Sequence, residues 1–117
     1  MLLKFKKTNI RNFIMGTNYY HQRRCLACGH ISETHIGKKS GGWRFLLRAS
    51  NGLRSWGEWL ARLRSDGKII DEYERTVSLD RFVEIVVESK EEESHIGHGM
   101  GAFKDEEGFE LVDADFR

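Results

Sequence analysis

No stretch of this chain is apolar over the ~20 residues that a membrane-spanning helix requires, so no membrane partner is expected. Only two cysteines occur in 117 residues, too few for the disulfide framework that supports a small secreted domain. The pair points instead to a reducing compartment, by default the cytoplasm, and to metal or redox chemistry. Catalytic patterns are missing as well. No Ser/His/Asp order and no carboxylate pair at acid–base spacing is recognisable, so nothing in the sequence speaks for an enzyme. Asp71, Glu72, Asp113 and Asp115 read as solvated charge. The length suits one compact domain and leaves no room for a second catalytic lobe. Residues 1–14 start basic, with Lys4, Lys6, Lys7 and Arg11, but Thr8, Asn9 and Asn12 interrupt the apolar positions. No secretory segment forms there, and a flexible basic leader is expected.

What the chain has in quantity is charge, and it is unevenly placed. Residues 1–64 carry 13 Lys and Arg against 2 Asp and Glu, a net of +11, whereas residues 65–117 carry 6 against 16, a net of −10. The basic half offers a footprint for an anionic partner. The acidic half can equally fold against it and cancel the field.

Local patterns indicate an α+β fold. Thr17 to Arg24 reads as a strand entering the CxxC turn, and the run 43–48 places Trp43, Phe45 and Leu47 on one face at period two. Ser55-Trp56-Gly57-Glu58 spells a capping box, so a helix is expected with Trp56, Trp59, Leu60 and Leu63 on its apolar side and Gly67 as its left-handed stop. Lys68-Ile69-Ile70 followed by Val77 suggests a hairpin. Ser78 caps a second predicted helix running to Ser89, with Leu79, Phe82, Val83, Val86 and Val87 facing the sheet. Residues 90–108 combine an acidic run with Gly97, Gly99 and Gly101 and read as a mobile loop before a last strand over 109–112. The expected architecture is two helices on a small, mainly antiparallel sheet.

The sharpest chemical signal is Cys25-Leu26-Ala27-Cys28-Gly29. A two-residue gap lets two thiolates face one ion at about 2.3 Å, and the glycine lets the backbone turn beneath them. A structural zinc is therefore expected, with a redox pair or two inert thiols as the competing readings; no helix pattern follows Cys28, which disfavours the redox one. A closed tetrahedral site needs two more ligands, and five histidines are the supply. His21, four extended residues from Cys25, lies ~13 Å away. His30 crowds the turn. His35 returns to the ion if Ser32-Glu33-Thr34 turns, which makes it the third expected ligand. Glu93-Ser94-His95-Ile96-Gly97-His98 echoes Glu33-Thr34-His35-Ile36-Gly37-Lys38, and His95 is taken as the fourth, with His98 and His30 as alternatives.

Two further motifs fail in context. His95-Ile96-Gly97-His98 matches the nucleotide-binding tetrapeptide of class I aminoacyl-tRNA synthetases, but it follows an acidic run, not the first strand of a large catalytic domain. Gly37-Lys38 lacks the earlier glycine of a phosphate loop, because Ser32 stands there. The glycine-flanked Lys38-Lys39 pair, with Arg23, Arg24 and Arg44, reads as a flexible cationic surface for nucleic acid. Tyr19, Tyr20 and Trp43 are better explained as core than as stacking platforms.

Several segments together, Gly16-Thr17-Asn18-Tyr19-Tyr20, Cys25-x-x-Cys28-Gly29, His35-Ile36-Gly37-Lys38, Ser40-Gly41-Gly42-Trp43, Asp71-Glu72-Tyr73 and Val77-Ser78, resemble a family of small bacteriophage and prophage proteins of uncharacterised function. The resemblance runs from Met15 onward. Lys39 stands where that family has a serine, and Glu74 where it has a glycine. The resemblance implies a phage origin, a host-cell cytoplasmic location and Met15 as an original start, but no activity. The expected function is that of a zinc-stabilised phage binding protein. Its expected partner is nucleic acid, met through Arg23, Arg24, Lys38, Lys39 and Arg44. The alternative partner is a host or defence protein, met through the acidic half.

Overall fold

The computed structural model describes residues 16–116; the leader expected over residues 1–14 lies outside the described residues. The protein has the expected α+β class, with two helices and a seven-stranded, mostly antiparallel sheet. In chain order the elements are β1 (Thr17–Arg24), β2 (Ile31–Lys39), β3 (Leu46–Arg48), α1 (Trp56–Ser65), β4 (Lys68–Asp71), β5 (Thr76–Val77), α2 (Leu79–Glu88), a 3-10 turn (Ser89–Glu91), β6 (Phe103–Lys104) and β7 (Glu110–Val112). The sheet order is β5-β4-β1-β2-β3-β7-β6, and β3 with β7 is its parallel pair. No helix among the described residues is long and apolar enough to cross a membrane.

Both helices begin as the sequence signals. The Ser55 hydroxyl accepts from the Glu58 N–H at 3.0 Å, although the Glu58 carboxylate reaches back to the N–H of Arg54, not of Ser55. Ser78 accepts from the Arg81 N–H at 3.1 Å. Gly67, at φ 83°, stops α1 and has a second reason to be glycine. A Cβ there would lie 2.4 Å from the Gln22 carbonyl and 2.6 Å from His21 Nε2.

The core forms between sheet and helices. Tyr19, Gly37, Leu47 and Leu111 lie opposite one another across β1, β2, β3 and β7, and Tyr19, Leu47 and Leu111 pack in one cluster with Trp56, Trp59, Leu63, Phe82 and Val86 from the helices. Gly37 leaves the space that Phe45 fills, since a Cβ would meet the ring at 2.5 Å. Phe45 then packs on Tyr19 and Phe82 at ring separations of 5.7 and 5.3 Å.

Several expectations need correction. Lys38 and Lys39 are not in a flexible loop; they end β2, whose central residues His35, Ile36 and Gly37 are all buried. A β-bulge between Tyr19 and Tyr20 leaves Ile36 unpaired, which breaks the simple alternation that would have marked this strand. The strand expected over 43–48 is confined to Leu46–Arg48, while Trp43 makes a single bridge to Glu93 and is only half-buried. Val87 faces solvent instead of the sheet. The segment expected as one loop over 90–108 contains the end of the 3-10 turn and β6.

Candidate functional site

β1 and β2 form a finger. Their ladder runs from Thr17 opposite Lys39 to Arg24 opposite Ile31, but β4 borders β1 only from Tyr19 to Gln22, and β3 borders β2 only at Gly37 and Lys38. Beyond those rungs no further strand borders the two, and residues 24–33 are all exposed. The finger ends in the CxxCG turn. The Cys25 N–H donates to the His30 carbonyl at 2.8 Å, the Gly29 N–H donates to the Cys25 carbonyl at 2.7 Å, and Gly29 takes φ 76°. Both cysteines are exposed and free, and Leu26 between them is 98% exposed. The neighbouring Cys28 amide and thiol and the Ala27 amide hold the Cys25 thiol below the ordinary cysteine range.

The histidines expected to complete a metal site lie elsewhere. Ser32-Glu33-Thr34 do not turn, because they are paired strand residues opposite Arg23, Gln22 and His21. His35 is therefore carried four residues along β2 from the strand's start, ~13 Å at strand rise. It is buried there with Nε2 2.8 Å from Asn18 Oδ1 and its ring against Tyr20 and Phe116. His95 has Nε2 2.9 Å from the Arg44 carbonyl and stacks on Trp43 at 5.0 Å. His98 meets the same indole edge-on. His21 is buried with Nε2 2.7 Å from the Asp66 carbonyl. Only His30 shares the turn with the two thiols. Among the described residues no three His, Cys, Asp or Glu side chains stand together as a metal site.

Three of the five expected cationic contacts are engaged with the acidic half. Arg23 pairs with Asp66 at 2.9 Å, Lys39 with Glu92 at 2.7 Å and Arg44 with Glu110 at 3.7 Å, while Arg24 donates to the Gly29 carbonyl at 3.3 Å. Lys38 is half-buried on β2, opposite Asn18 and Leu46. Arg48–Asp115 and Arg54–Asp113 add two more bridges between the halves, both at 2.7 Å. Five cations of the basic half thus meet carboxylates of the acidic half, which is self-neutralisation in part.

Four carboxylates prove structural in ways the sequence did not signal. Glu110 is buried, and it accepts from the Ser94 hydroxyl and, at 2.7 Å, from the His95 N–H. Asp71 is buried, not solvated. Burial alone would raise its carboxyl, but the N–H groups of Arg75 and Tyr73 and the Arg75 guanidinium outweigh that and hold it below the usual carboxylate range. Glu72 accepts from the Asn18 backbone at 2.7 Å, and Asp105 accepts from the N–H groups of Trp56, Glu107 and Phe109. The one local hint was at Glu110, a carboxylate inside a short apolar strand. Comparison with protein-family models, with curated proteins and with solved structures finds no match to this chain.

Proposed function

We propose that this protein is a binding module whose recognition element is the β1–β2 finger, with the CxxCG turn acting as a zinc knuckle. The observation that carries this reading is the turn itself. It presents both cysteines in solvent on a turn closed by the Cys25 to His30 and Gly29 to Cys25 backbone hydrogen bonds, at the two-residue spacing that lets two thiolates share one ion. Leu26 stands 98% exposed at the tip between the two cysteines, where a partner would meet it together with the metal. Nucleic acid is the weaker partner, because Arg23, Lys39 and Arg44 already have carboxylates against them.

Two measurements test the reading. Reduced protein should take up zinc, and Cys25→Ser should abolish uptake. The melting temperature should change little, because no knuckle residue belongs to the core cluster. A protein that binds no zinc under reducing conditions refutes the proposal. DNA and RNA binding at low salt should not exceed that of a neutral control. A salt slope of about −0.7 to −0.9 per phosphate contact would instead restore a nucleic-acid partner.

A further inference from the structure

We infer that the knuckle is half of a zinc site shared by two copies of this chain, four thiolates of two fingers closing one tetrahedron tip to tip. The inference rests on the metal-binding reading above and names the partner of that site.

Zinc in a structural site takes four ligands, and each turn presents two sulfurs on one side of an ion. The two remaining coordination positions therefore point away from the turn. The turn is the free end of the finger, so those positions face solvent and not the body of the same chain. The finger cannot fold back to supply them. From Tyr20 opposite His35 its ladder is regular to Arg24 opposite Ile31, and the Cys25 to His30 hydrogen bond closes it one step further. Four histidines are held by the fold: His21 at the Asp66 carbonyl, His35 at Asn18, and His95 and His98 around Trp43.

A second knuckle related by a two-fold axis satisfies the geometry with the same residues, as isologous contacts do. It also covers the most exposed apolar side chain of the described residues, since the Leu26 side chains of the two tips meet beside the ion. Charge fits as well. Four thiols release four protons to the buffer as one Zn²⁺ binds, leaving a centre of net charge −2. Arg24 and Lys68 line an open groove of ≈ 320 Å³ that reaches Ile31 at the end of the ladder, so each copy brings cations to that anionic centre.

The test uses the full chain, reduced and metal-free, titrated with zinc while mass is followed by light scattering and bound metal by elemental analysis. The expected end point is one zinc per two chains, with the particle mass doubling from 13.6 kDa. A chelator should return it to monomer. Cobalt in place of zinc should show the absorption of four thiolates around one tetrahedral ion. Cys25→Ser/Cys28→Ser should neither bind nor double, and its circular dichroism should match the parent. One zinc per chain at unchanged mass overturns the shared site while leaving the knuckle intact; the same stoichiometry lost in His30→Ala would identify His30 as a ligand within one chain. No zinc uptake at any ratio overturns both readings. Doubling that persists in the double variant also overturns the shared site.

Discussion

Replacing Glu110 gives the strongest test of how the acidic half holds the fold. Its carboxylate has no solvent exposure and accepts two hydrogen bonds, from the Ser94 hydroxyl and from the His95 N–H, while the Arg44 guanidinium stands 3.7 Å away. Glu110→Ala strands both donors and leaves Arg44 without its nearest countercharge. An unsatisfied buried donor costs about 1–3 kcal/mol. The two donors together imply a loss of about 3 kcal/mol, which for a domain of this size lowers the melting temperature by roughly 12 °C. Glu110→Gln keeps one acceptor oxygen and the shape, so its loss should be nearer about 1 kcal/mol, the charge-assisted part of those bonds. Thermal unfolding of both variants, repeated with Arg44→Ala in a double-mutant cycle, measures this. Added salt should change the differences little, because the carboxylate is buried. If both variants lie within about 0.5 kcal/mol of the parent, the buried carboxylate does not organise the segment after the 3-10 turn.

Acid should destabilise the protein through His21. Burial holds its pKa below 6.5, so the unfolded chain takes up a proton first, and stability should fall as the pH drops below about 6.5 until the folded ring is also protonated. His21→Gln should flatten that part of a pH–stability profile; an unchanged slope refutes the assignment. Gly67→Ala should lose at least about 1–3 kcal/mol in urea unfolding, because it adds both a strained φ and a collision with the Gln22 carbonyl. Glu74 is the one non-glycine among the described residues with positive φ, at 63°. Glu74→Gly should therefore be neutral or stabilising by up to about 1 kcal/mol, and a clear loss in the same assay would show that the side chain supports the turn between β4 and β5.

Features that depend only on neighbours along the chain are legible in the residues themselves. Ser55 with Glu58 and Ser78 with Arg81 set the starts of both helices, because a cap needs only residues within one turn. Gly67 stops α1 and β1 spans the predicted residues for similarly local reasons, and backbone hydrogen bonds between Cys25, Gly29 and His30 close the CxxCG turn. Tertiary structure decided the rest. β2 was hidden because its bulge disturbs the alternation and because Gly37 is set by Phe45, eight positions on, filling the space beside it. The turn expected at Ser32-Glu33-Thr34 is absent for the same reason, since those residues are paired in the strand that carries His35 away from the sulfurs. The cancellation of a +11 half by a −10 half is written in composition, but its partners are not. Arg23 finds Asp66, Lys39 finds Glu92 and Arg44 finds Glu110 only once the sheet order brings them together. Coulomb attraction has no sequence register of its own, so the backbone topology chooses which opposite charges meet.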